Sequence, residues 1–262
     1  MLRSKILTIV ILAATAIGSS TAQAADKPDV DPKAMAALDK MGAYLRSLSA
    51  FRVQAVTTDE DVLEDGVKVQ YTESVDIVAS RPNHLRAEVV SDRRARVLYY
   101  DGKTLSVFAP RAGYYASVAA PPTIAELDKM LVNEYDLSIP LRDLFLWGSA
   151  GWNPSGMDSV IDVGPSQVNG TTCEQYAGRQ KDIDWQIWVQ LGAHPLPRKI
   201  VISTRTDEER PEHTAVYTWD LAPSFNDAAF TFNPPPGVHR VPLAKSGLAA
   251  QASTNSSTAT KR

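Results

Sequence analysis

The chain has 262 residues, with 27 Lys and Arg against 30 Asp and Glu, a formal net charge of -3, 44% hydrophobic and 22% charged residues. These proportions exclude a disordered or collagen-like chain, and without a cationic excess no nucleic-acid partner is expected. The single cysteine, Cys173, excludes an intramolecular disulfide and a cysteine-rich zinc site.

Residues 1–24 read as a secretory signal peptide. Arg3 and Lys5 precede an apolar run from Ile6 to Ile17, and Ala22-Gln23-Ala24 has the small-x-small pattern of a cleavage site. A membrane anchor fits less well, because Gly18, Ser19, Ser20, Thr21 and Gln23 make the second half of the run polar, whereas a span needs about 20 predominantly apolar residues. No cysteine follows the run, which argues against a lipoprotein anchor. Cleavage leaves 25 bases against 30 acids. The expected product is a soluble protein of a Gram-negative periplasm. Residues 25–243 are expected to form one domain, and 244–262, mostly Ala, Ser and Thr, a disordered tail.

Asp31-Pro32 opens a helix, with Asp31 as its cap. Met35, Leu38, Met41, Tyr44, Leu45 and Leu48 recur at three- and four-residue steps, so the helix is amphipathic and ends near Ser49. Strands follow over 51–63 and 67–79, joined through Asp65-Gly66. Val67, Val69, Tyr71, Val75, Ile77 and Ala79 alternate on one face. Further strands are read over 85–90, 94–100, 105–109 and 114–118. The pattern then turns helical: Thr123, with Glu126 as capping-box partner, precedes Ile124, Leu127, Leu131 and Tyr135. A second short helix spans 141–147. A Gly/Ser/Asn/Pro loop from Trp147 to Gly156 contains Trp152. Strands resume over 159–168, 173–179, 183–191, 198–206 and 214–221, with Asn169-Gly170 as a hairpin turn, and Pro234-Pro235-Pro236-Gly237 ends the fold.

Chemistry is mostly missing from this pattern. His84, His194, His213 and His239 are not at metal-ligand spacing. There is no G-x-S-x-G elbow and no phosphate-binding glycine pattern. Cys173 opens a strand and reads as a small buried residue. Asp182 and Asp184 face one side beside Lys181 and read as a solvated rim. Glu73 interrupts an apolar face, either as an inward charge that guards an edge or at the mouth of a cavity. No cofactor and no enzymatic activity are expected.

Two segments carry a resemblance. Arg81-Pro82-Asn83-His84-Leu85-Arg86 opens one strand, and Asp101-Gly102-Lys103-Thr104-Leu105 forms the turn before Val107-Phe108-Ala109-Pro110. With Leu48-Ser49-Ala50-Phe51 and Gln54, they resemble the LolA/LolB-like lipoprotein-carrier superfamily. Within it the chain is most similar to the periplasmic domain-of-unknown-function family 2092. The likeness is strongest over 38–118; beyond that only the order of elements matches, and Ser106 stands where the carriers often place an aromatic.

The resemblance implies a mainly β (α+β) fold: a half-open antiparallel β-barrel of about eleven strands, with an N-terminal helix and a two-helix lid over an apolar cavity. It also implies that Arg81, matching the carriers' Arg-Pro arginine, bonds to the lid. Such a hydrogen bond to a charged group would contribute about 1.5–3 kcal/mol. The lid would run from Ile124 to Trp147, with Leu127, Leu131, Leu141, Leu144, Phe145 and Trp147 as cavity walls. Tyr71, Trp185 and Trp219 on the alternating strand faces complete the candidate binding set. The partners implied are lipid or lipoprotein acyl chains, in outer-membrane biogenesis. The alternative within the same superfamily is a sensor that binds a membrane protein, with the loop around Trp147 to Trp152 as contact.

Overall fold

The computed structural model describes residues 29–147 and 156–246. The expected signal peptide, most of the expected tail and Trp152 lie outside the described residues. The chain order begins with β1 (Asp29–Val30), α1 (Pro32–Ser47), β2 (Ala50–Val62), β3 (Lys68–Ser80), β4 (His84–Val90), β5 (Ala95–Tyr100), β6 (Thr104–Ala109) and β7 (Tyr114–Ala119). Helices α2 (Ile124–Tyr135) and α3 (Asp143–Leu146) follow. Then come β8 (Met157–Val168), β9 (Thr171–Gln180), β10 (Ile183–Gln190), β11 (Pro197–Thr204), β12 (Glu212–Asp220), a 3₁₀ turn (Asp227–Phe230) and β13 (His239–Arg240).

Local chemistry explains most of these boundaries. The Asp31 carboxylate accepts from the Lys33 amide at 2.8 Å, and Pro32 needs no partner for a missing N–H at the first helical position. Ala34, Leu38, Met41 and Leu45 bury one stripe of α1. Gly102 takes a φ of +83°, which the tight turn between β5 and β6 requires, and a Cβ there would lie 2.7 Å from Asn83 Nδ2. The two sequence segments that carry the resemblance therefore touch: Asn83 sits in the space that Gly102 leaves.

All strands form one sheet in the order β1-β8-β9-β10-β11-β12-β2-β3-β4-β5-β6-β7-β13. Each half is an antiparallel meander. The halves join through β12 and β2, paired from His213 with Asp59 to Asp220 with Arg52. The eleven expected strands all form. Two more were not foreseen: β1 and β13, each two residues long, pair in parallel on β8 and β7 at the outer edges. Pro234–Gly237 thus does not end the fold, since the chain continues to His239 and Arg240. The sheet does not close on itself.

One face of this open sheet carries the main core. Val53, Ala55, Ile77, Ala79, Leu85, Ala87, Tyr100, Leu105, Ile187 and Ala215 alternate along their strands and meet α1, α2 and α3 in one continuous apolar interior. Full burial of one such Leu, Ile or Phe side chain is worth about 1.5–3 kcal/mol. The other face holds a small cluster of Val168, Cys173, Trp188 and Val201 with Val216, and Cys173 is buried as expected. Across that same face Phe232 packs on Tyr99, Phe108 and Tyr115. Ser106 is buried and bonds Ser117.

Candidate functional site

The helical cover is tied to the sheet at the start of α2. Thr123 Oγ1 accepts from the Glu126 amide at 3.2 Å and donates to Glu126 Oε2 at 2.8 Å, which caps the helix. The Ile124 amide donates to Pro82 O at 2.8 Å, and the Tyr100 hydroxyl to Pro121 O at 2.5 Å. Burial pushes the Tyr100 phenol up to about 12, so it stays a donor. At the other end α2 stops at Asp136, in the left-handed region with φ 52°. Leu141 also has φ 52°. A branched side chain rarely adopts this conformation, so Leu141 holds some backbone strain in the link to α3. Arg142 bridges the two helices by a bidentate pair with the buried Asp128 carboxylate, at 2.7 and 2.8 Å. The second helix, read from the sequence over 141–147, is a single turn over Asp143–Leu146.

Most of the expected wall residues converge beneath this cover. Leu127, Leu131, Leu144, Phe145, Trp147 and Trp185 are buried in one interior, with Leu141 and Trp219 packed on its margin. Phe51 lies 5.9 Å from Phe145 and 5.6 Å from Trp219, ring centre to ring centre. Trp147 meets Trp185 edge to face at 6.4 Å. Trp147 is only 8% exposed, so it is not the exposed contact expected of the loop it begins.

Arg81 is the unusual member. Its guanidinium lies 5.9 Å from the Phe51 ring and 5.5 Å from the Phe145 ring, so it touches both the sheet and α3. The Nε is buried and has no hydrogen-bond partner. Burial pushes the Arg81 guanidinium below its ordinary pKa, because the charged form loses water. Arg81 thus reaches the helical cover through the face of Phe145 rather than through a hydrogen bond. Cation–π contacts are worth about 0.5–2 kcal/mol.

Tyr71 does not join this group. It sits toward the tip of the β2–β3 hairpin, under the guanidinium of Arg93 at 4.0 Å. Glu73, on the same strand, lies just past the stretch of β3 that pairs with β4, which runs from Ser74 to Ser80, so at Glu73 the strand is paired with β2. It lines a cavity of 220 Å³ between the sheet and the link from α2 to α3, with Asp59, Arg96, Ser138, Asp143 and His213 also around it. Burial raises the Asp143 carboxyl above its ordinary pKa, partly offset by His213 and Arg142, although the cavity leaves it open to solvent. A smaller space of 20 Å³ continues from there under Leu131 and Leu137, walled by Ala87, Val89, Leu98 and Val107.

Arg96 was not singled out in the sequence, yet a signal was present. Arg96, Leu98 and Tyr100 alternate on one strand, so an inward Tyr100 places Arg96 inward too.

The rest of the polar groups form structural pairs. Asp184 is held by Arg179 at 2.7 Å and by Arg210, which makes it a bonded rim residue. His213 bonds Asp59, His194 bonds Tyr44, and His84 packs on Phe230. Among the described residues no cluster of His, Cys, Asp or Glu could hold a metal ion. No helix among them is long and apolar enough to cross a membrane.

Solved structures with a similar arrangement include the Mycobacterium tuberculosis lipoprotein LppX, 11% identical, covering 75% of this chain and 100% of that one with a TM-score of 0.46. LprF from Mycobacterium bovis is 12% identical over 80% of this chain and 100% of its own, at 0.44. A LolA-superfamily protein from Nitrosomonas europaea is 13% identical over 76% and 97%, at 0.35. No curated protein matches the chain. Residues 34–244 match the DUF2092 family, described as predicted periplasmic protein, and this protein belongs to that family.

Proposed function

We propose that this protein binds or carries acyl chains in the periplasm, taking them between the inner face of the sheet and the α2–α3 cover. The observation that carries the reading is Arg81: a guanidinium with a buried, unpaired Nε held between Phe51 of the sheet and Phe145 of α3. An unpaired charge in an apolar seam makes the closed arrangement only marginally favourable, since a desolvated cation regains water on opening. The apolar and aromatic contacts of the seam favour closure, so the cover acts as a lid with a small free-energy difference between its states.

The lid pivots where α2 is tied to the sheet, at Pro82 and Tyr100. Opening exposes Leu127, Leu131, Leu144, Phe145, Trp147, Trp185 and Trp219 to a ligand. Each methylene buried there contributes about 0.8 kcal/mol, so part of one acyl chain suffices for micromolar binding.

The test is native mass spectrometry of protein isolated from periplasm without detergent, with organic extraction of any adduct, followed by uptake of a fluorescent fatty-acid probe by the stripped protein. A stoichiometric lipid-mass adduct or saturable uptake at a ratio of one supports binding. A bare mass together with no uptake overturns it.

A further inference from the structure

We infer that Arg96 is the headgroup anchor for an anionic amphiphile, a single-chain carboxylate or phosphate, whose tail runs under α2. The inference rests on the acyl-binding reading and names the ligand class for the same interior.

The first observation is a junction of two spaces. The 220 Å³ cavity has a polar lining, and the 20 Å³ space has an apolar one. Val89, Arg96, Ser138 and Pro140 line both. Arg96 thus stands where a polar mouth meets an apolar interior, which is where the charged end of an amphiphile would stop.

The second observation is charge pairing. Most acids around the mouth already have side-chain partners. Glu73 accepts from Arg94 Nε at 2.8 Å, Asp59 bonds His213 at 2.6 Å, and Asp128 holds Arg142. Asp143 has no such pair; the charges acting on it are His213, Arg142 and Asp128, whereas those acting on Arg96 are Arg94 and Glu73. Among the described residues Arg96 makes no ion pair and no hydrogen bond through its guanidinium. Burial pushes its pKa below the ordinary value, and the neighbouring Arg94 adds to this. A planar fork of five donors in a partly dry site, without an acceptor, matches a carboxylate or phosphate.

The third observation concerns room for the tail. The roof over the junction is Leu137–Arg142, with Asp136 just before it and Leu141 within it, both in the left-handed region. Leu131 and Leu137 plug the apolar space, and a chain longer than a few carbons enters only as they withdraw with the roof.

The test uses the full mature protein, stripped of lipid, titrated with dodecanoate, dodecyl phosphate, the neutral dodecyl glucoside, and the tail-less anions acetate and inorganic phosphate. Binding is read by calorimetry at pH 7.5. The expected result is at least tenfold tighter binding of the two anionic dodecyl compounds than of the glucoside, with no measurable binding of the tail-less anions. R96Q should remove that preference while leaving glucoside affinity within twofold, and R96K should keep part of it. R86Q, on the opposite face of the sheet, should leave the preference intact. Folding is checked by circular dichroism; R96Q removes an unpaired cation and should melt at or above the wild-type temperature. Equal binding of anionic and neutral chains, or an unchanged preference in R96Q, overturns the anchor while the acyl-binding reading stands. Tight binding of tail-less phosphate would make the site an anion site and overturn the amphiphile. No binding of any dodecyl compound overturns both.

Discussion

Trp185 lies directly over Gly178: a Cβ added there would sit 2.2 Å from the Trp185 ring. The two residues face each other across β9 and β10. Gly178→Ala should therefore push the indole out of the interior and cost about 1–3 kcal/mol, read as a lower midpoint in urea. A wild-type midpoint would mean that the indole has other room. Arg81 makes the opposite prediction. Arg81→Met replaces a desolvated charge with an apolar chain of similar length, so stability should stay within about 1 kcal/mol or rise. Release of a bound fluorescent fatty acid should slow, because the closed lid loses its charge penalty. Faster release would show that Arg81 holds the lid closed. Asp184 is sensitive to acid. The hydrogen bond from Arg179, with that from Arg210, holds its carboxyl at about 2, below the ordinary 3.8. The unfolded chain takes up a proton first as pH falls, so this contribution is complete above about pH 4 and lost toward pH 2. Asp184→Asn should cost about 1–2 kcal/mol at pH 7 and nothing at pH 2; a cost independent of pH would point to packing instead.

At the scale of elements, the cover is held unevenly. The start of α2 is bonded to the sheet by backbone and by Tyr100. Its end is held by side chains and by the chain's C-terminal segment, where Lys245 pairs with Glu134 at 2.6 Å and the Ser246 amide donates to Glu134 O at 2.8 Å. That pair is exposed on both sides and contributes at most about 1 kcal/mol. Lys245→Ala should thus leave the melting temperature within a few degrees while raising amide exchange in the last turn of α2. Unchanged exchange would mean the segment does not restrain the helix. Residues 244–246 depart from the expected disordered tail in making these bonds. The helix itself was legible, since Thr123, Glu126 and the 124-127-131 spacing are local signals. The single turn of α3 was read too long, because Leu141 takes a left-handed conformation that no apolar spacing announces.

At the scale of the molecule, the two meanders share one sheet and one interior. Phe51 and Trp219 meet across the β2–β12 junction, and Val160, Tyr176 and Ile187 belong to the same core as Ile77 and Leu85. The domain should therefore unfold in one transition, with near- and far-ultraviolet dichroism coincident in urea. Two separated transitions would mean that the halves are independent.

What the residues determined by themselves is everything with a short period. Eleven strands alternate at period two, α1 and α2 repeat at 3.6, and turns carry Asp-Gly or Asn-Gly, because each depends only on neighbours along the chain. The Arg-Pro-Asn and Asp-Gly-Lys segments pointed to the family for the same reason, as one turn built against the other. The tertiary structure alone brought β12 beside β2. Pairing at that distance depends on how the whole apolar face closes over its helices rather than on any local pattern. It also decided that β1 and β13 extend the edges, since two residues are too few to show a period. It placed Tyr71 past the end of the interior, toward the hairpin tip, and it left Arg81 and Arg96 as half-buried cations, a consequence of which acids the fold brings near and which it gives to other partners.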